Sequence, residues 1–96
     1  MALYHPGVFE ASNIDEAKAV ILTDEGRNGS VAARWELETP YVLELIDQAF
    51  ALRSDMTVLD YGCGIGRMAR PMIERSGCQV VGVDTSQAMR KLATEY

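Results

Sequence analysis

Three glycines and two aspartates carry the chemistry open to this chain. Asp60-Tyr61-Gly62-Cys63-Gly64-Ile65-Gly66 follows a short apolar run and precedes a helical pattern. A glycine-rich turn between strand and helix lets a ligand approach the backbone closely. A dinucleotide fingerprint requires Gly-x-Gly-x-x-Gly or Ala, but the sixth place from Gly62 is Arg67, bulky where close helix packing wants a small residue. An acid two places before the first glycine also repels a pyrophosphate, and it attracts the ammonium and sulfonium of an amino-acid-linked nucleoside. Asp84 stands twenty-two residues after Gly62, near the ~20 expected of a carboxylate that accepts hydrogen bonds from ribose hydroxyls.

Plainer readings stand beside these. Asp60 could cap the turn, and Asp84 could cap the helix after it, by accepting backbone N–H groups. Cys63 between glycines suggests a reactive thiol but serves equally as a small turn residue. His5, the single histidine, is a poor candidate for a base. Arg67, Arg70 and Arg75 read as a solvated helix face.

The elements that must position these residues follow from pattern. Ser12 or Asn13 caps a helix with Asp15 and Glu16 in its first turn and Ala17, Val20 and Ile21 at helical spacing, ending near Thr23. Residues 24–30 are turn formers and read as a mobile loop. Thr39-Pro40 reads as a cap and first helical position, opening a helix with an apolar stripe of Tyr41, Val42, Leu45, Ile46, Ala49 and Phe50. Met56–Asp60 and Gln79–Asp84 are short apolar runs that suit buried parallel strands. Between them Met68, Ala69, Met72 and Ile73 give helical periodicity to a glycine cap at Gly77, with Pro71 tolerable only if the helix begins near Gly66 or Arg67. Ser86 caps a last helix through Met89, Leu92 and Ala93.

Val58–Gly66 resembles motif I of the class I, Rossmann-like methyltransferases that use S-adenosyl-L-methionine (SAM). The family pattern is acidic-x-Gly-x-Gly-x-Gly, and all four fixed positions match. Val81–Met89 is similar to the family's next element, an acid ending the second strand and a capped helix after it. The resemblance implies an α/β fold: N-terminal helices, then the first βαβ(α) unit of a Rossmann-like sheet, incomplete. It divides the chain into a helical and loop region, 1–39, and a partial SAM-binding domain, 40–96. It implies that Gly62, Gly64 and Gly66 line the methionine and ribose, that Asp60 faces the amino group and that Asp84 grips the ribose. Cys63 falls in the same turn, Thr85 and Met89 border the adenine, and Arg34, Trp35 or Tyr41 closes the carboxylate end. Trp35 and Tyr41 also have a plainer reading, as packing.

Family members have a seven-stranded sheet, so a chain with two strands is expected to be inactive alone, and no catalytic residue is named. The alternatives are a nucleotide- or NAD-binding Rossmann fragment and a non-catalytic, self-associating one. Ninety-six residues, 48% apolar and 24% charged, suit one globular unit. No apolar run approaches the ~18 residues of a membrane span, and the start lacks a secretion signal, so a cytoplasmic protein without membrane contact is expected. Two cysteines suit free thiols rather than disulfides or zinc. Residues 1–50 carry three Lys/Arg against nine Asp/Glu and residues 51–96 six against five, with no basic stripe. That balance argues for a small-molecule acceptor and no nucleic-acid partner. Two strands apolar on both faces leave surface to cover, which predicts a homo-oligomer or part of a longer chain.

Overall fold

In a computed structural model, residues 6–22 and 30–96 are described. A 3₁₀ turn at Pro6–Phe9 leads into α1 (Ile14–Ile21) and α2 (Val31–Phe50). Then follow β1 (Thr57–Tyr61), α3 (Ala69–Ser76), β2 (Gln79–Val83) and α4 (Gln87–Ala93). The strands pair in parallel, Asp60 opposite Gly82 and Tyr61 opposite Val83, so both end on the same side. This is the expected α/β arrangement, with helices ahead of a partial Rossmann-like βαβα unit. The expected mobile loop lies almost wholly outside the described residues, as do His5 and the end of the first helix at Thr23.

Local caps start the helices. The Asn13 side chain accepts the Glu16 N–H at 2.9 Å and opens α1, while Ser86 Oγ accepts the Met89 N–H at 3.2 Å and opens α4. Pro71 falls in the first turn of α3, and the turn begins earlier, with the Arg70 N–H donating to the Gly66 carbonyl at 3.0 Å. There the missing proline donor costs little. Gly77, with φ 71°, ends α3.

α2 departs from expectation. It starts at Val31, capped by Ser30 Oγ on the Ala33 N–H at 3.2 Å, and runs through Thr39 and Pro40. Residues 32–37 are mostly good helix formers, and the burial of Trp35 (3% exposed) and Thr39 (8%) favours a helix that continues past the proline. An interior proline costs about 3 kcal/mol in isolation, so burial of this face must outweigh it. The expected domain boundary between residues 39 and 40 therefore falls inside one helix.

Ala17, Leu22, Trp35, Ile65, Met89 and Leu92 form one core that joins α1, α2, the glycine turn and α4. The Trp35 indole N–H donates to the Tyr96 hydroxyl at 2.9 Å, and the two rings meet edge to face. Arg75 reaches Glu44 at 2.9 Å and Asp47 at 3.2 Å, tying α3 to α2. The other sheet face is bare: the paired Leu59 and Val81 are 64% and 52% exposed.

Candidate SAM-binding site

β1 ends on Asp60 and Tyr61, and the chain then turns sharply with positive φ at Gly62 (76°), Gly64 (55°) and Gly66 (91°). The turn is fixed to the end of β2. The Val83 carbonyl accepts both the Gly62 N–H at 2.7 Å and the Cys63 N–H at 3.0 Å. Asp84 adds a second anchor, Oδ2 accepting the Gly64 N–H at 2.8 Å and Oδ1 the Ser86 N–H at 2.8 Å. The plainer reading of Asp84 as a backbone cap is thus present in the structure. Each oxygen keeps lone-pair capacity beyond one N–H, so this does not prevent hydroxyl binding. A side chain at Gly64 would be strained by its φ, and its Cβ would stand 3.1 Å from Ile21 Cδ1, so α1 packs directly on the turn. At Gly62 nothing lies within 4 Å of an added Cβ, which leaves the backbone there open.

The turn and the two strand ends enclose a cleft of about 650 Å³, in the range of small-molecule sites. Asp60, Gly62, Cys63, Gly64, Asp84, Thr85 and Met89 all line it. Gly66 does not, being buried behind the turn. Phe9, Ile21, Arg67 and Met68 also line it and were not foreseen as site residues. Phe9 and Ile21 come from the N-terminal region, and the hydrogen bond from Ser86 Oγ to the Phe9 carbonyl at 2.9 Å fastens that region over the site. An apolar residue in a distant segment gives no sequence signal for such a contact.

Electrostatically the cleft is unbalanced. Burial, and then the charge of Asp84, raise the Asp60 carboxyl above the usual carboxylate range. Asp60 accepts no side-chain hydrogen bond among the described residues, so its charge is uncompensated. Burial, then Asp60 and Asp84, push the Cys63 thiol up, which works against a reactive thiolate and favours the small-turn-residue reading. Among the described residues no His, Cys, Asp and Glu cluster could hold a metal ion.

The other arginine and aromatic expectations divide. Arg70 and Arg75 are exposed, but Arg67 is not on a solvated face: its side chain is only 18% exposed, with Nε donating to Thr39 Oγ1 at 3.0 Å. It stands over the Trp35 ring at 5.3 Å, which buries its charge against α2. Trp35 is core packing and Tyr41 is 66% exposed; neither lines the cleft. Arg34 pairs with Glu38 at 3.0 Å and also lies outside it.

The methyltransferase-domain family matches residues 34–95, from α2 through α4. The chain belongs to the class I SAM-dependent methyltransferases. That membership sets aside the dinucleotide alternative, against which Asp60 and Arg67 already stood. This methyltransferase chain is 46% identical over 50 residues to the 23S rRNA (uracil(1939)-C(5))-methyltransferase RlmD of Alcanivorax borkumensis. The match covers 52% of the chain and 10% of that protein, so the chain spans only a small part of its relative's length. No solved structure matches significantly. The expectation of a small-molecule acceptor without nucleic acid is overturned by this relative, which is named for an RNA substrate. Net charge reports on the phosphate-binding surface, which need not share a segment with the donor site. No helix among the described residues is long and apolar enough to cross a membrane.

Proposed function

We propose that this chain forms the donor-binding portion of a methyltransferase that acts on RNA, with SAM held in the cleft at the glycine turn. The observation that carries the reading is Asp60: a half-buried carboxylate beside a second carboxylate, with no ion pair or hydrogen-bond donor of its own among the described residues. Such a site favours a ligand that brings positive charge. SAM supplies a methyl group on a sulfonium, displaced in line by the acceptor nucleophile.

The chain's residues do the holding. Asp60 accepts hydrogen bonds from the amino group, and the open backbone at Gly62, with Gly64 beside it, lies along the methionine and ribose. Gly66 shapes the turn from behind, and Cys63 keeps it small. Asp84 accepts the ribose hydroxyls on lone pairs that Gly64 and Ser86 leave free, and Thr85 and Met89 border the adenine. Residues 40–96 are the binding unit, and the preceding residues wall it with Phe9 and Ile21. The name of the similar rRNA enzyme supports RNA as the acceptor, and an RNA acceptor assigns the work to the cytoplasm. A net charge of -5 gives phosphates little to bind, so the reading gives these residues the donor and not the RNA.

Isothermal titration with SAM, S-adenosylhomocysteine and NAD tests this on the wild-type chain and on Asp84→Ala, with circular dichroism confirming the fold. Binding of the two adenosyl-amino-acid ligands and not NAD, weakened about tenfold or more in Asp84→Ala, is the expected result. Equal binding of NAD, or no adenosyl binding, overturns the donor assignment. Tritium transfer from methyl-labelled SAM to RNA, measured with the complete enzyme, tests the acceptor.

A further inference from the structure

The geometry points to Arg67 as the residue that recognises the carboxylate of the bound amino acid, and so sets the cleft's preference for an intact zwitterionic headgroup. This rests on the donor reading above and adds a residue and a specificity to it. An α-amino-acid headgroup carries one positive and one negative end. The cleft offers Asp60 for the first, while Arg34, Trp35 and Tyr41 all lie outside it. Among the described residues that line the cleft, Arg67 is the one cation.

The guanidinium is also held ready. Its Nε donates to Thr39 Oγ1 at 3.0 Å and its Nη2 stands 3.9 Å from Glu38 Oε2, so α2 engages the Nε–Nη2 edge. The Trp35 ring at 5.3 Å restrains the plane. Five N–H donors belong to an arginine, and neither contact uses the two on Nη1. No buried side-chain nitrogen or oxygen among the described residues lacks a partner, so Nη1 is not sealed off unpaired, and Arg67 is a residue of the cleft wall. A planar cation fixed on one edge and free on the other suits a carboxylate, because little side-chain freedom remains to be lost on binding. Arg67 immediately follows Gly66, so its backbone moves with the turn that the ligand lies against.

The test compares ligands as well as variants. S-adenosylhomocysteine, its carboxamide and 5′-methylthioadenosine are titrated calorimetrically into the wild-type chain, Arg67→Gln, Arg67→Lys and Arg34→Gln. Wild type is expected to bind the carboxylate form about tenfold tighter than the carboxamide. Arg67→Gln should bind the two forms alike while keeping its affinity for 5′-methylthioadenosine, and Arg67→Lys should recover part of the preference. The ratio within each protein is the readout, so a general loss of stability does not imitate the result. A wild type that does not distinguish acid from amide overturns the assignment without any variant. So does a preference that survives in Arg67→Gln or collapses only in Arg34→Gln. Failure of wild type to bind any of the three ligands is a different outcome, which removes the donor reading and this inference together.

Discussion

Adding one methyl group at Gly82 tests the close approach of the Cys63 side chain to the second strand. A Cβ at Gly82 would lie 2.8 Å from Cys63 Sγ and 3.1 Å from Cys63 Cβ. The first distance is too short to persist, so the sulfur or the turn must move. Cys63 has one rotatable side-chain bond, and its N–H is fixed to the Val83 carbonyl at 3.0 Å, so little freedom exists to absorb the contact. Overpacking of this kind costs about 1–3 kcal/mol, and Gly82→Ala should lose stability in that range by urea denaturation. Cys63→Ala removes the sulfur and leaves the 3.1 Å approach to Cβ, a much smaller overlap. In that background Gly82→Ala should cost less, with a coupling of about 1 kcal/mol in the double-mutant cycle. Because the turn lines the cleft, Gly82→Ala should also weaken S-adenosylhomocysteine binding, and Cys63→Ala should restore part of it. Equal destabilisation by Gly82→Ala in both backgrounds would refute the claim that Cys63 rests on this glycine.

Asp60→Asn should stabilise the free chain at neutral pH while weakening SAM. A carboxyl whose pKa is raised on folding contributes stability at acid pH, and that contribution is lost as pH rises through the raised value. Asparagine never ionises, so the melting temperature of the variant relative to wild type should climb with pH from the ordinary carboxylate range upward; a flat difference contradicts the assignment. Tyr96→Phe leaves the indole N–H of the buried Trp35 without its 2.9 Å acceptor. It should cost about 1 kcal/mol and shift the fluorescence of the single tryptophan; an unchanged urea midpoint would show that the bond is replaced by water.

What the sequence discloses about this fold is mostly local. The strands are legible because apolar runs end in an aspartate, and Asn13 and Ser86 are legible as caps because a cap acts over three residues. The first half of α2 is hidden because Thr39-Pro40 matches a helix start so well, whereas the contacts that carry the helix through Pro40 come from Arg67 and the core. The glycine turn and Asp84 are legible from spacing. Phe9 and Ile21 are not, since nothing local says which apolar residues will wall a cleft formed by segments far away. Arg67 shows both limits: its size in the sixth place argues against a dinucleotide, but its exchange of a solvated face for Thr39, Trp35 and the cleft needs the α2–α3 packing.

On the proposed donor reading the two carboxylates would set the site's selectivity, and their effects differ. Asp84 accepts the backbone N–H groups of Gly64 and Ser86, so its carboxyl group is built into the turn. Among the described residues Asp60 has no such hydrogen bond, and burial and then the Asp84 charge disfavour its charged form, a penalty that a cation would relieve. Neutral adenosyl compounds would then meet Asp84 and the open backbone at Gly62 but would leave Asp60 unrelieved. A ligand with an ammonium would relieve it, and one that also carries a sulfonium would do so further. On the proposed donor reading, a preference for SAM over an uncharged nucleoside is expected to arise at Asp60, whose charged form burial and Asp84 both disfavour.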